Sequence, residues 1–372
     1  MAERRGASSA REPSAAEGSP PGPEQIRRCL AAGGMPCAEF RCGAGTVLVS
    51  AFGGRIFGPF FEGRSLSWVS PLFEDEQGFR KAIDGGAWNL GGDRIWLAPE
   101  LRYNVRDRKR FLESYDLQRV VDPGAYRLEL LPGAQSDHCR LEQVMEPLAY
   151  DGPGAKKLGL ERLIQPAADP LRDVAGYERI RGHLAYCGYE QTVTLIDLQP
   201  DGRESQTWSI TQVPPGGEIL VPVLPGAEYQ DHLEPMDAEH LELRPHHLRV
   251  RVKGDRLFKI ELKAAHHFGR FGYYRRLGQG QAGLLVKLFF NNPSAAYAME
   301  APHRPGVRGY SLDIYHDDGG LGGFAEVECH GQPVGYPGGS ASSTDRFLNW
   351  AYWGEQKAVR EVCVQLLGVR PE

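Results

Sequence analysis

A short segment near residue 90 carries the residue types that carbohydrate recognition needs. Gly91 and Gly92 precede the charged pair Asp93 and Arg94, and Trp96 follows two positions later. Glycine allows the backbone to turn at positive φ. Asp and Arg can hydrogen-bond vicinal hydroxyl groups, while a Trp ring covers the apolar face of a sugar. The alternative is a structural ion pair that pins a turn, with Trp96 in the core.

Two glutamates on a predicted late strand are candidates for acid–base chemistry. Glu326 and Glu328 lie two residues apart, and strand side chains alternate between faces, so both point to the same side. If that side forms a cleft, two neighbouring carboxylates could raise the pKa of one of them and suit it to proton transfer near neutral pH. The alternative is a solvated face that carries two surface charges.

Two histidines could serve as a proton donor in the same cleft. His267 follows a predicted strand among aromatic residues, and its neighbour His266 must face the opposite way, so at most one of them reaches a cleft. His316 precedes Asp317 and Asp318 at the tip between two late strands. These three residues could bind a divalent ion, but Asp-Gly is also the usual chemistry of a hairpin turn. We favour the turn and predict no metal site, while His316 could still reach a cleft.

Motifs for nucleotide cofactors receive no support from their sequence context. The run Gly278-Gln279-Gly280-Gln281-Ala282-Gly283 matches G-x-G-x-x-G, but it leads into a predicted strand. The helix N-terminus that would hold a pyrophosphate is therefore missing. The sequence contains no P-loop. We predict no cofactor.

Composition and charge exclude several classes of partner. The 372 residues carry a formal net charge of −5, so no excess of basic residues favours nucleic acid or an anionic membrane surface. No apolar run is long enough to cross a bilayer, and the N-terminus does not resemble a secretory signal. Seven scattered cysteines without a C-x-x-C pair fit reduced thiols. We therefore expect a cytoplasmic protein.

The pattern of apolar residues predicts an all-β chain. From about Phe40 onward, short alternating or β-rich runs are separated by Gly, Pro, Asn and Asp, with few helix-length segments between them. This pattern favours a large antiparallel sandwich or barrel over a doubly wound α/β fold. We expect disorder in the polar residues 1–22, a possible short helix near residues 25–30, and one domain over residues 36–372. The remaining helix predictions are Phe73–Ala82, Asp173–Ile180 and Glu355–Leu366.

The order of these segments resembles the galactose mutarotase-like superfamily, in particular its uncharacterised bacterial members. The likeness covers nearly the whole chain from about residue 45 and is most specific in Gly91-Gly92-Asp93-Arg94 with Pro99-Glu100. Weaker matches are Val49 to Ile56, Ser67 to Val69, Trp208 to Gly217, Phe258 to Ile260 and Ala325 to Glu328. The resemblance implies a single-domain β-supersandwich of mostly antiparallel strands, with few short helices and a concave sugar-binding face.

The same resemblance implies roles for individual residues. In mutarotases an early arginine binds sugar hydroxyls, a late glutamate is the general base, and a mid-chain histidine is the general acid. Arg94 and Glu328 match the first two positions, with Glu326 as a second carboxylate. No histidine lies in the mid-chain region from Trp208 to Gln212, so His267 or His316 would have to be the acid. The other expected substrate-binding residues are Asp93, Trp96, Glu100, Trp208 and Gln212.

These observations lead to a carbohydrate-active protein as the main hypothesis. An aldose 1-epimerase-like isomerase would act on a small-molecule carbohydrate by acid–base chemistry. One alternative is a non-catalytic carbohydrate-binding protein that keeps the site and lacks the acid. Another is a different sugar reaction, such as glycoside cleavage, on the same face. The sequence determines neither the sugar nor the oligomeric state.

Overall fold

The chain forms two large antiparallel sheets, described by a computed structural model for residues 20–131, 138–233 and 235–372. In chain order the strands are β1 (Cys37–Cys42), β2 (Gly45–Ser50), β3 (Arg55–Phe61), β4 (Arg64–Ser65), β5 (Asp93–Ala98), β6 (Arg127–Leu130), β7 (Cys139–Met145), β8 (Leu158–Pro166), β9 (Leu184–Asp197), β10 (Gln206–Val213), β11 (Gly217–Pro222), β12 (Tyr229–Asp231), β13 (Leu241–Arg244), β14 (His247–Val252), β15 (Phe258–Lys263), β16 (Arg270–Gly278), β17 (Gln281–Phe289), β18 (Tyr310–His316), β19 (Ala325–His330) and β20 (Ser342–Glu355). The helices are α1 (Pro23–Ala32), α2 (Glu76–Asp84), α3 (Glu100–Tyr103), α4 (Glu178–Arg181) and α5 (Gln356–Leu367).

Each sheet draws on strands from distant parts of the chain. The first sheet has the order β1-β2-β3-β5-β10-β19-β18-β15-β12, with β4 paired to β3. The second has the order β13-β14-β11-β16-β17-β20-β9-β8-β7-β6. Antiparallel pairing with short helices confirms the prediction of an all-β sandwich. The early strand β5 and the late strand β19 both border β10, so residues more than 200 positions apart meet across one strand.

Buried side chains between the sheets join the two layers. Ile95 and Leu97 of β5 belong to the apolar core, which includes Leu285 of β17 in the second sheet. Asp93 faces the same interior and pairs with Lys287 of β17 at 2.5 Å. Because residues on a strand alternate between its faces, Asp93 points away from the side occupied by Arg94.

The terminal helices cover opposite parts of the sandwich. α5 confirms the helix predicted over Glu355–Leu366, and its residues Val359 and Val362 pack with Leu284 of the second sheet. α1 corresponds to the short helix predicted near residues 25–30, and Gly33 caps its C-terminus. Its buried residues pack on the first sheet. Disorder is expected for residues 1–22, and residues 1–19 of this segment lie outside the described part of the chain.

Two other helix predictions differ from the structure at their boundaries. α2 begins three residues after the predicted start because the side chain of Asp75 accepts hydrogen bonds from the backbone N–H groups of Gln77 and Gly78 and thereby caps it. The helix predicted over Asp173–Ile180 is wrong for most of its length. Only Glu178–Ile180, the first three residues of α4, are helical in that span, and Gly176 adopts a φ of +84° that a right-handed helix does not allow.

Several strands depart from the sequence pattern. The β-rich run Ser65–Val69 predicts a strand by its pattern. That prediction is wrong, since only Arg64–Ser65 pair with β3 and Val69 makes a single bridge. The long strand β20 was not predicted. It pairs with β9 from Ser342 to Gly354, although its Asp345 and Asn349 are of types depleted in strands and its first residues show no apolar alternation. The G-x-G-x-x-G run forms the tight turn between β16 and β17 and leads into a strand, as predicted.

None of the helices in the described ranges has the length and apolar character that crossing a bilayer requires.

Candidate functional site

A cavity of about 280 Å³ lies on the first sheet, on the side that Arg94 faces and Asp93 does not. Its floor comes from five neighbouring strands, β5, β10, β19, β18 and β15, and its walls come from the loops beside them. The lining residues are Trp88, Arg94, Trp96, Glu100, Phe111, Leu112, Tyr115, Trp208, Leu233, Lys259, Tyr315, Leu321, Phe324, Glu326 and Glu328.

Strand register explains why the two late glutamates share this cavity. Glu326 lies opposite Gln212 of β10, and Glu328 lies opposite Ile210 two residues earlier on that strand. Side chains two residues apart on a strand point to the same face. Both carboxyl groups therefore reach the cavity, while Val327 between them enters the core between the sheets.

Arg94 joins the early and late strands at one end of the cavity floor. Its Nη2 donates to Oε1 of Glu326 at 2.8 Å, and Nε2 of Gln212 donates to the same oxygen at 2.7 Å. The guanidinium carbon lies 4.3 Å from the centre of the Trp96 ring. Nε and Nη1 of the fully buried Arg94 have no hydrogen-bond partner among the described residues. These N–H groups are available to a polar ligand.

Glu328 is held by a hydrogen bond and an ion pair at the other end of the floor. Nε1 of Trp208 donates to its Oε2 at 3.0 Å, and Nζ of Lys259 lies 3.0 Å from the same oxygen. Lys259 also pairs with Oε2 of Glu100 at 3.0 Å. Glu100 begins α3, directly after the segment that contains Arg94. One buried ammonium group therefore bridges two carboxylates that belong to distant parts of the sequence.

A second group of buried polar side chains lies next to this bridge. His330 Nε2 is 2.9 Å from Oδ2 of Asp313, and His232 Nδ1 is 2.9 Å from Oε1 of Glu261. Burial, with the nearby charge of Lys259, lowers the pKa of His232 to about 4, so its imidazole is neutral near pH 7. Burial also raises the pKa of Glu261 well above its ordinary value.

The electrostatics of the cavity favour a proton-exchanging carboxyl group. Three carboxyl groups line it, and only two cations, Arg94 and Lys259, are among its lining residues. Burial raises the pKa of Glu328 well above its ordinary value; Lys259 opposes the rise, and Asp313 and Glu326 add to it. A carboxyl group whose pKa moves toward neutrality can accept and release a proton at physiological pH.

His267 lies outside this cavity, contrary to its expected role as an acid. Its Nε2 bonds with Oγ of Ser311 at 2.9 Å, and its Nδ1 accepts the N–H of Gly269 at 3.1 Å. Burial lowers its pKa to about 3. The ring is therefore a neutral structural group at the end of a strand, because both nitrogens serve the local backbone and side-chain framework.

His316 is likewise fixed by backbone groups. Its Nδ1 donates to the carbonyl of Arg256 at 2.6 Å, and its Nε2 accepts the N–H of Lys253 at 3.0 Å. The ring stacks on Phe258 with centroids 4.7 Å apart. The next residue, Asp317, accepts the backbone N–H groups of the following turn. These contacts are those of a turn, which the sequence favoured for this segment. Neither the His316 nor the Asp317 side chain lines the cavity.

The other expected residues divide between the cavity and its surroundings. Asp93 is removed from it, since its carboxylate accepts hydrogen bonds from Lys287, Thr211 and Gln191 between the sheets. Gln212 supports Glu326 without being among the lining residues. The residues that the structure brings together in the cavity are Arg94, Trp96, Glu100, Trp208, Glu326 and Glu328.

Sequence reasoning did not assign several of the polar or aromatic lining residues, among them Lys259, Tyr315, Trp88 and Tyr115. Lys259 stands in a segment used for the resemblance, and its alternation with apolar neighbours on β15 was a usable signal. Trp88 is one of six tryptophans in the sequence, any of which could have been a sugar platform. Tyr115 lies in an irregular segment between β5 and β6, where no periodicity indicates which way a side chain points.

Comparison with known proteins gives a structural likeness without a sequence match. No protein-family model matches the chain, and no curated protein sequence matches it. A candidate aldose 1-epimerase from Escherichia coli K12 superposes with a TM-score of 0.52 and 12% sequence identity, over 86% of this chain and 99% of that one.

Two further solved structures superpose more loosely. A galactose mutarotase-like protein from Lactobacillus casei gives a TM-score of 0.42 at 9% identity, over 85% of this chain and 99% of that one. A galactose 1-epimerase from Lactobacillus acidophilus gives 0.40 at 10% identity, over 86% and 100%. The likeness to the Escherichia coli protein concerns the fold alone, because the identity is low. The chain shares its fold with this Escherichia coli protein, in agreement with the fold that the resemblance of its sequence segments implied.

Proposed function

We propose that this protein binds an uncharged, monosaccharide-sized carbohydrate and acts on it as an aldose 1-epimerase-like isomerase. The observation that carries the proposal is the buried carboxyl group of Glu328. It faces a cavity with an arginine fork and three tryptophan rings, and burial moves its pKa upward. Aromatic faces cover the C–H surface of a sugar, and the N–H groups of Arg94 can donate to hydroxyl oxygens.

Anomer interconversion needs one proton acceptor and one proton donor. Glu328 would take the proton of the anomeric hydroxyl group while a donor protonates the ring oxygen. The bond between the anomeric carbon and the ring oxygen then breaks to give the open-chain aldehyde. Rotation about the adjacent C–C bond and the reverse proton transfers close the ring as the other anomer. No other reactant is consumed.

Two tyrosines are the donors that this proposal favours. Tyr115 and Tyr315 both line the cavity. Burial, together with carboxylates that include Glu100 for Tyr115 and Glu326 for Tyr315, raises the pKa of each phenol above its ordinary value. Both hydroxyl groups therefore carry a proton near pH 7, and tyrosine is an established general acid. They replace His267 and His316 in the hypothesis.

Size and charge define the proposed ligand class. Small-molecule sites span about 300–1,000 Å³, and this cavity of about 280 Å³ is at the small end, which favours a single ring. Both lining cations are already paired with carboxylates, so an anionic group would meet more negative than positive charge. In competition binding we expect a neutral aldose to bind more tightly than its 6-phosphate. Tighter binding of the phosphate would contradict the proposed ligand class.

The direct test is NMR exchange spectroscopy of α and β anomers with a panel of free aldoses. Wild-type protein should accelerate the exchange, and Glu328→Gln should lower kcat by about 10²–10⁴-fold, the usual contribution of a general base. Glu218→Gln provides a matched control, since Glu218 is a buried glutamate of the second sheet. Equal rates for wild type and Glu328→Gln would eliminate the isomerase proposal.

A non-catalytic sugar-binding protein is the second candidate. The observation that favours it is that no histidine stands among the described residues lining the cavity. Calorimetry with the same aldoses separates the two functions. Sugar binding that Arg94→Ala abolishes, without any acceleration of anomer exchange by wild type, would support the binding protein.

A further inference from the structure

Lys259 lines the cavity but has no role in the reaction proposed above. Its side chain is 3% exposed, and its Nζ lies 3.0 Å from Oε2 of Glu328 and 3.0 Å from Oε2 of Glu100. The ammonium group also stands 4.6 Å from the centre of the Trp208 ring. We propose that Lys259 is a positioning residue that orients the carboxyl group of Glu328 and sets the pH at which this group accepts a proton. This inference rests on the proposed function.

The contacts of Oε2 of Glu328 give the orienting effect. Lys259 and Nε1 of Trp208 both approach Oε2 of Glu328, each at 3.0 Å. Oε1 has no hydrogen-bond partner in the described part of the chain. A hydrogen bond and an ion pair on the same oxygen restrain the carboxylate of Glu328. The other oxygen is thereby directed to a ligand.

The arrangement of charges gives the second effect. Within 4 Å of the carboxylate of Glu328, Lys259 is the only cation among the described residues. Other ionisable groups reach this region from every adjoining element. They are Glu100 from α3, Asp313 and Tyr315 from β18, Glu326 and His330 from β19, Arg94 from β5, Tyr115 and His232 from the loops, and Glu261 from β15 itself. Most of them are acidic, so the protonated form of Glu328 would be strongly favoured without Lys259.

Glu100 competes with Glu328 for the same ammonium group. The two carboxylates are at equal distances from Nζ, on opposite sides of the bridge. Removing Lys259 and removing Glu100 should therefore have opposite consequences for Glu328. Loss of the cation raises its pKa, and loss of the competing anion lowers it. A lysine that only fills space would produce neither shift.

The experiment measures the pH dependence of anomer exchange in Lys259→Met, Glu100→Gln and wild type. For Lys259→Met the acidic limb of the kcat profile should move to higher pH by about 1–3 units, the usual effect of one opposite charge on a carboxyl group. For Glu100→Gln it should move to lower pH. Lys259→Arg, which keeps the charge, should move the limb less than Lys259→Met does.

Lys263→Met is the matched control. Lys263 lies on the same face of β15, four residues on, where its ammonium group contacts Tyr310 and not the cavity. Its profile should equal that of wild type. Thermal unfolding checks that each variant is folded, and Glu100→Gln tests the inference even where Lys259→Met fails to fold. If the acidic limb of the kcat profile stays at the wild-type pH in both Lys259→Met and Glu100→Gln, the inference about Lys259 is overturned.

A readout without catalysis separates this inference from the proposed function. Selective ¹³C labelling of glutamate, with Glu328→Gln to assign the signal, allows NMR titration of the Glu328 carboxyl group. If the pKa of Glu328 shifts in opposite directions in Lys259→Met and Glu100→Gln but wild type catalyses no anomer exchange, the isomerase proposal is refuted and the role of Lys259 is supported. If wild type catalyses anomer exchange but the pKa of Glu328 does not shift in the two variants, the isomerase proposal is supported and the role of Lys259 is refuted.

Discussion

At the scale of single residues, neighbouring side chains of β5 have unrelated tasks. Arg94 faces the cavity, where one nitrogen pairs with Glu326 and the ring of Trp96 lies against the guanidinium plane. Asp93, one residue earlier, is bound to Lys287 between the sheets. The glycine-rich segment therefore contributes one side chain to the cavity and one to the connection between the layers. The structural interpretation of the Asp–Arg pair applies to Asp93, and the sugar-binding interpretation stays a proposal for Arg94.

Replacing Arg94 by Lys should weaken sugar binding more than it slows chemistry. A lysine keeps the charge but lacks the planar fork and its stacking on Trp96. Loss of charge-assisted hydrogen bonds, about 1.5–3 kcal/mol, corresponds to a rise in KM of roughly 10–100-fold, with a smaller change in kcat. Arg64→Lys is the control, because Arg64 stacks on Trp353 outside the cavity. Unchanged KM in Arg94→Lys would remove Arg94 from the binding site.

Removing the phenol hydroxyl groups should identify the proton donor. The variants Tyr115→Phe and Tyr315→Phe keep the rings that line the cavity. Whichever tyrosine protonates the ring oxygen should lose about 10²–10⁴-fold in kcat when its hydroxyl is removed, while the other variant stays near wild type. Anomer-exchange rates at saturating sugar give the measurement. Full activity in both variants and in their combination would show that neither tyrosine is the donor.

At the scale of elements, strand register decides which groups meet. β10 separates β5 from β19, and its own side chains complete both contacts, since Gln212 binds Glu326 and Trp208 binds Glu328. The first sheet is tied to the second by the ion pair between Asp93 and Lys287. Loss of that ion pair would weaken the packing between the two sheets, on the side of the first sheet opposite the cavity.

Breaking this buried ion pair should destabilise the fold without changing the cavity chemistry. Lys287→Met removes the closer of the two cations paired with the buried carboxylate of Asp93 and leaves Arg162 at 3.9 Å. Breaking a buried ion pair typically costs about 3–5 kcal/mol, and the remaining cation should keep the loss at or below the lower end of that range. Urea titration of the free energy of unfolding measures the loss. Arg127→Met, which breaks an exposed pair with Glu142, should change it far less. Similar stabilities for the two variants would contradict the structural role assigned to the pair.

At the scale of the whole molecule, the cavity depends on the sandwich and on loops that cross its outer face. Its floor is one sheet, while Trp88, Phe111, Leu321 and Phe324 come from loops far apart in sequence. This enclosure buries the carboxyl group of Glu328. Because the folded state raises the pKa of Glu328 above that of the unfolded chain, whole-molecule stability and proton binding are linked.

The sign of this linkage gives a prediction for stability against pH. Between the unfolded pKa, about 4.3, and the raised folded pKa, the folded state binds more protons, so this group's contribution to stability falls as the pH rises. Glu328→Gln cannot titrate. Its free energy of unfolding relative to wild type should therefore increase from pH 5 to pH 8 in urea titrations. A constant difference across that range would show that the pKa of Glu328 is not raised by folding.

Much of the fold could be predicted from local pattern, because alternation and turn residues report how each strand presents its faces. β14 coincides with the alternating run His247–Val252, and β19 begins two residues into the predicted run Gly323–Cys329. β20 could not be predicted in this way, since its polar residues become a strand only through pairing with β9 and β17. For the candidate site, Glu326 and Glu328 followed from period two. The positions of His267 and His316 did not, because both depend on tertiary partners.

The sequence by itself determined the β-rich architecture, its resemblance to mutarotase-like proteins, and the shared face of Glu326 and Glu328. These features depend on neighbours along the chain. Only the tertiary structure decided that Asp93 faces the other layer, that both candidate histidines serve the backbone, and that Lys259 bridges Glu100 and Glu328. These contacts join residues that are far apart in sequence. Strand order and register bring them together, and no local pattern encodes which distant strands become neighbours.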